Sequence, residues 1–334
     1  MTTDMENGRR AEIEAFAGKL RAIREELARE IVGQEEVVGH MLLALIAGGN
    51  VLLEGVPGLG KTRLVRALSH ALSLPFSRIQ FTPDLMPADI TGTNIVVRGE
   101  AGNEFRFQPG PLFSSIVLAD EINRATPKTQ SALLEAMQEH SVTVAGETRA
   151  LAEPYFVLAT QNPIEQEGTH PLPEAQLDRF LFKLVVPFPT MDELSEIVSM
   201  TVTRDEEQAR PVATGADVLR LREIAREVPI AKAVKELALR LVLATHPELP
   251  DSPQEARAYL RFGASPRAAQ AILSTARVRA LTEGRYNVSF DDVAYVAPAC
   301  LRHRVALTFD GIAEGKSADG VVRELIAAER SKAV

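Results

Sequence analysis

Between an apolar run at Asn50 to Glu54 and a helix-forming stretch from about Lys61 lies the octapeptide Gly55-Val56-Pro57-Gly58-Leu59-Gly60-Lys61-Thr62. It fits G-x-x-x-x-G-K-[ST] in the strand, turn, helix setting that gives this pattern its meaning, a P-loop. No other feature restricts the fold so far, because a glycine-rich turn of this kind belongs to a buried strand in an α/β layer structure. Gly55, Pro57, Gly58 and Gly60 let the backbone curl so that its N–H groups face an anion, and the helix amino terminus adds positive potential. Lys61 is placed to reach the β and γ phosphates of a nucleotide, and the Thr62 hydroxyl to ligate Mg²⁺.

The rest of the first half agrees with that reading. Short apolar runs at Val51 to Leu53, Phe76 to Phe81, Ile116 to Ala119, Phe156 to Thr160 and Phe180 to Val185 alternate with helical stretches, which predicts a largely parallel sheet. Asn94 to Gln108 and Ser141 to Leu151 break the rhythm as two β-hairpins. Before Asn50, Ile13, Phe16, Leu20, Ile23 and Leu27 recur at helical spacing. After the proline-punctuated Pro187 to Thr190 the pattern is helical, at about Met191–Thr203, Asp217–Glu227, Ala231–Thr245, Pro266–Leu281 and Asp319–Lys332.

Two further strand ends carry polar groups where open α/β sheets place ligands. Ile116 to Ala119 ends in Asp120 and Glu121. Asp120 is positioned to hold Mg²⁺ and Glu121 to polarise an attacking water, although adjacent carboxylates after a strand also cap helices. Tyr155 to Gln161 ends at Asn162, either a turn former or an amide that holds the lytic water.

Composition bounds the alternatives. The chain has 334 residues, 46% hydrophobic and 25% charged, ample for a packed core of about two domains. Its 37 basic and 45 acidic residues give a net charge of −8. Residues 1–190 carry 17 basic and 24 acidic residues (−7), and residues 191–334 carry 20 and 21 (−1). Such a chain is a poor sequence-independent binder of nucleic acid. In the hairpins Arg98 and Arg106 offset Glu100 and Glu104, and Arg149 offsets Glu147, so neither has a basic excess. Phe105 and Phe107 alternate on the first, as a packed face or as a pore-facing or substrate-contacting loop. The single cysteine, Cys300, reads as a small buried apolar residue and admits no intramolecular disulfide. With a polar amino terminus and an apolar run at Met41 to Leu53 broken by Gly48, Gly49 and Asn50, the expectation is a cytoplasmic protein with no membrane span. The six histidines occur singly, which argues against a structural zinc site.

The series GVPGLGKT, LADEINRA, ATQNP and EAQLDRF, with IVGQEE upstream and GASPRA downstream, resembles the MoxR family of AAA+ ATPases from about Ile31 to Arg304. The segment FTPDLMPADITG at 81–92 is especially typical. The resemblance implies an N-terminal helix over 1–30, an α/β P-loop NTPase (AAA+) core over 31–190 with the two hairpins as insertions, and an all-α lid over 191–334. It implies ATP and Mg²⁺ as cofactors and ATP hydrolysis as the reaction. Arg179 corresponds to the arginine finger that reaches a neighbouring subunit's nucleotide, with a surface pair to Asp178 as the alternative. Arg267, in the first turn of a helix opened by Ser265 and Pro266, corresponds to the sensor 2 arginine, or else makes an ordinary salt bridge. Val32 and Gly33, followed by Gln34, match the adenine-side box, and Arg124 is a second candidate for a contact between subunits. A hexameric ring is the implied assembly. Its implied work is chaperone-like maturation of partner proteins, metal-cofactor insertion included, alongside proteins with von Willebrand factor A domains. A DNA-remodelling motor and a magnesium-chelatase-type motor subunit are the alternatives within the same clade.

Overall fold

The computed structural model describes residues 2–99, 102–163, 168–202 and 208–332. Up to residue 190 it runs α1 (Thr2–Ala28), α2 (Glu35–Ala47), β1 (Val51–Glu54), α3 (Lys61–Ala71), β2 (Phe76–Gln80), α4 (Pro87–Thr91), β3 (Gly92–Gly99), β4 (Gly102–Pro109), β5 (Ile116–Asp120), α5 (Pro127–Glu139), β6 (Ser141–Val144), β7 (Glu147–Ala150), β8 (Phe156–Gln161), α6 (Glu174–Leu177) and β9 (Phe182–Val185). Beyond it come α7 (Met191–Val202), α8 (Gly215–Glu227), α9 (Lys232–Ala244), α10 (Gln254–Tyr259), β10 (Leu260–Phe262), α11 (Pro266–Thr282), α12 (Phe290–Leu301), β11 (Ala306–Leu307), α13 (Phe309–Ala313) and α14 (Ala318–Ser331).

Five strands form one sheet in the order β2-β5-β8-β1-β9, and every neighbouring pair is parallel. All strand carboxyl ends therefore share one edge, where Gly55, Glu121 and Asn162 follow β1, β5 and β8. The hairpins β3–β4 and β6–β7 are separate two-stranded ribbons outside this sheet.

Period-two alternation along the central strands divides the core in two. Val51, Leu53, Ile116, Leu118, Phe156, Leu158, Phe182 and Leu184 face one way, into a cluster that continues through α2, α3 and the helices beyond residue 190. Leu52, Val117, Ala119, Val157 and Ala159 face the other way, onto Leu133, Leu134 and Met137 of α5 and onto Val142 of the second hairpin. Phe16, Leu20, Ile23 and Leu27 of α1 belong to the first cluster, so the N-terminal helix packs as part of the main core.

The predicted elements differ from the observed ones at identifiable places. Phe180 and Leu181 precede β9 because they are held by other groups: Leu181 N–H donates to Asn50 O at 2.8 Å. Helix α12 was not anticipated from FDDVAYVAPACL, an apolar run with Pro298 inside it, yet Ser289 caps it by accepting from Asp292 N–H. The predicted end of α7 at Thr203 and the turn residue Glu100 lie outside the described residues. Cys300 is fully buried, and burial pushes its thiol up to about 12.

Asn50 fastens the start of β1 to its surroundings. Its Oδ1 accepts from Val157 N–H at 2.8 Å, and its own carbonyl takes the Leu181 N–H. Asn50→Ala strands a buried donor in β8, so urea unfolding of this variant should show a loss of about 1–3 kcal/mol.

Candidate nucleotide-binding site

The loop after β1 follows the course its composition requires. Gly58 (φ +87°) and Gly60 (φ +75°) occupy the left-handed region, open to glycine without strain, and α3 starts directly at Lys61. The loop, Arg78 and Gln80 of β2, Asp120, Glu121 and Asn162 enclose one cleft at the carboxyl edge of the sheet. The geometry thus brings together Pro57, Gly58, Gly60, Lys61, Thr62, Asp120, Glu121 and Asn162.

Lys61 is 9% exposed and its Nζ donates to Gly55 O at 2.6 Å, within its own loop. Burial lowers its pKa, while Asp120 and Glu121 pull it back up. Cationic Lys61, Arg63 and Arg78 outnumber the two carboxylates in the lining, which suits a polyanionic ligand.

Four residues hold the acidic pair. Thr160 Oγ1 donates to Asp120 Oδ1 at 2.7 Å and accepts from Glu121 N–H at 2.8 Å. Arg78 reaches Asp120 Oδ2 through Nη2 at 2.6 Å and Nε at 3.1 Å, and its Nη2 also donates to Gln80 Oε1 at 2.8 Å. Gln80 Nε2 donates to Glu121 Oε2 at 2.7 Å, and Arg124 Nη1 meets the same oxygen at 3.0 Å. Glu121 itself sits at φ +57°, where a non-glycine residue is uncommon, so these bonds fix a backbone turn that would otherwise relax. Arg124 thus stands beside Glu121 of its own chain. Arg78, Gln80 and Thr160 were not singled out in the sequence. Their signal is polar residues at alternate positions of a predicted buried strand, at the end next to the carboxylates.

Thr62 and Asp120 offer hard oxygen donors of the type Mg²⁺ takes. No group of three acidic, histidine or cysteine side chains suited to a metal ion occurs among the described residues.

The remaining candidates lie elsewhere. Gly33 (φ +66°) and Gln34 (φ +61°) make a left-handed turn before α2, and a Cβ on Gly33 would strike the Glu193 carboxylate. Neither Val32 nor Gly33 lines the cleft; Gln34 joins the box to the loop by donating from Nε2 to Leu59 O at 3.1 Å. Arg179 and Arg267 line a second cleft with Asn50, His140 and Arg304, at the amino end of β1. Arg179 is exposed and donates to Leu134 O at 3.2 Å. Arg267 Nη1 lies 3.7 Å from Asp178 Oδ2, a loose ion pair that leaves its side chain 48% exposed. β1 has four residues, which puts about 13 Å of strand between the two clefts. In the first hairpin Phe107 packs edge-on to Phe113 under Arg149, whereas Phe105 is 78% exposed.

Comparison with known proteins places this architecture. Residues 50–182 match the family described as "ATPase family associated with various cellular activities (AAA)", and residues 253–325 match an AAA lid domain. The Mycobacterium tuberculosis protein named Chaperone MoxR1 is 46% identical over 302 residues, covering 90% of this chain and 79% of that protein. The protein MoxR of Methylorubrum extorquens is 32% identical over 306 residues, covering 84% and 86%. A crystal structure of a Cytophaga hutchinsonii protein, 36% identical, superposes with a TM-score of 0.88 over 98% of both chains. With a parallel AAA+ sheet, a helical lid and a P-loop, the chain belongs to the MoxR family of AAA+ ATPases and is an ATP-hydrolysing enzyme.

Proposed function

We propose that the protein is a chaperone-like machine that spends Mg-ATP hydrolysis on remodelling partner proteins, and that it works as a ring, hexameric as in the family resemblance. The observation that carries the ring is the opposition of the two clefts: the P-loop lies at the carboxyl edge of the sheet, Arg179 and Arg267 at the amino edge. Across about 13 Å of strand those arginines cannot serve their own chain's nucleotide. A head-to-tail contact lets one copy's arginines face the next copy's P-loop, and such a contact repeats into a ring when the rotation between copies closes.

Within each composite site the roles divide by chemistry. The loop's N–H groups and Lys61 bind the phosphates, with Val32 and Gly33 on the adenine side. Thr62 and Asp120 hold Mg²⁺, which when bound neutralises phosphate charge. Glu121 orients and deprotonates the attacking water, and Asn162 fixes that water's position. Arg179 supplies charge to the transition state from the neighbouring copy, an effect of roughly 10³–10⁵ in rate where arginine fingers operate. Arg267 is a second cation on the same face. Residues 31–190 act as the motor and 191–334 as the lid.

The family likeness supports a protein as the partner. A chaperone name attaches to the Mycobacterium tuberculosis relative, and the balanced charges of the two hairpins favour polypeptide over nucleic acid as the substrate. We assign von Willebrand factor A domain proteins as partners, metal-cofactor insertion as one form of the maturation, and the cytoplasm as its place. No described helix is long and apolar enough to cross a membrane.

Glu121→Gln should bind ATP with wild-type affinity in calorimetry and hydrolyse it about 10²–10⁴-fold more slowly; wild-type turnover would remove Glu121 from the water-activating role. Affinity capture with this variant in ATP should enrich von Willebrand factor A domain proteins over a Lys61→Ala control. DNA recovered without protein would favour a nucleic-acid motor instead. Lys61→Ala should lose nucleotide binding, and mixing it with Arg179→Ala should restore part of the activity that neither variant has alone. Absence of recovery in assemblies verified to be mixed would show that Arg179 does not act between copies.

A further inference from the structure

Arg304 lies just beyond α12 and is 5% exposed, yet its guanidinium is shared among several groups of one short segment. Nε donates to Asp178 Oδ1 at 2.7 Å. Nη2 donates to the main-chain carbonyls of Asp178 at 3.0 Å and of Phe180 at 2.7 Å, the residues immediately before and after Arg179. Nη1 donates to Leu181 O at 3.2 Å and to Cys300 O, which ties the fork back to α12. A planar guanidinium with five donors can satisfy such a set; an ammonium cannot. His303 adds a second hold, its Nε2 lying 3.0 Å from Phe180 O.

The other side of Asp178 is occupied by a different helix. Ser265 Oγ, the N-cap of α11, donates to the Asp178 carboxylate at 2.8 and 3.0 Å, and Arg267 approaches it at 3.7 Å. One carboxylate next to Arg179 is therefore gripped by the start of α11 and the end of α12. Among the described residues no comparable anchor restrains the Arg179 side chain itself, which makes one 3.2 Å bond to Leu134 O.

We propose that Arg304 is a positioning residue for Arg179: it fixes the peptide units on both sides of that arginine and, through Asp178, makes the aim of Arg179 follow the lid helices α11 and α12. This rests on the reading of Arg179 as a finger acting between copies. A displacement of the lid, as one copy binds or releases nucleotide, then changes the geometry at the next copy's γ-phosphate.

The test is Arg304→Lys, which keeps the positive charge beside Asp178 and removes the fork. ATP affinity should be unchanged and kcat should fall about 10²-fold, the scale of a misplaced catalytic group. The distinguishing measurement is complementation. Arg304→Lys mixed with Lys61→Ala should regain activity, because one chain supplies the P-loop and the other a well-aimed finger. Mixed with Arg179→Ala it should regain none, because both fingers are then defective. A purely structural defect would depress both mixtures alike. Should Arg304→Lys fail to fold, Asp178→Asn, which preserves shape and removes the charge, should give the same pair of results. Wild-type kcat, or no recovery with Lys61→Ala while the Arg179→Ala and Lys61→Ala mixture does recover, overturns the positioning role. If that control mixture also fails, the finger reading itself falls, and this inference with it.

Discussion

The parallel direction of five strands is the constraint on which the molecule depends. It puts every strand's carboxyl end on one edge, so the P-loop, the acidic pair and Asn162 converge there from distant parts of the chain. The same polarity sends the segments entering the strands to the opposite edge, among them Asp178 to Leu181 ahead of β9. The P-loop and the arginines Arg179 and Arg267 are thereby segregated on a single chain. Their separation is a property of strand direction, with no need for a separate domain to create it.

Inside the phosphate cleft, charge is arranged by hydrogen bonding before any ligand is considered. Thr160 touches both members of the acidic pair, and Arg78 and Gln80, two apart on β2, each take one carboxylate. Since β2 pairs with β5 in register, Gln80 standing opposite Asp120, strand pairing alone delivers these side chains to the carboxylates. A change of register by one residue would turn both away. The acidic pair is thus as much a product of β2 and β8 as of the strand that bears it.

Much of this was legible in the chain. The P-loop, the strands and the two hairpins follow from glycine placement and from period-two apolar runs, whose burial leaves a strong local signature. What escaped reading was of two kinds. Helix α12 was hidden because Pro298, a residue that ordinarily ends a helix, stands inside it. Arg78, Thr160 and Arg304 escaped because their partners are 42, 40 and 126 residues away in sequence, so no local pattern names those partners. The neighbourhood of Val32 and Gly33 shows the same limit: the left-handed turn that favours glycine at 33 is visible in the sequence, but the approach of the Glu193 carboxylate to it is not.

The bond from Lys61 Nζ to Gly55 O has a consequence for how an anion enters. A lysine waiting in bulk water must shed a tightly held hydration shell before it can touch a phosphate. Here most of that dehydration has already taken place during folding, and the ammonium has a carbonyl in place of the lost water. Capture of a phosphate is then an exchange of one oxygen for another within a few ångströms. The loop holds its cation in a borrowed coordination that the incoming ligand takes over.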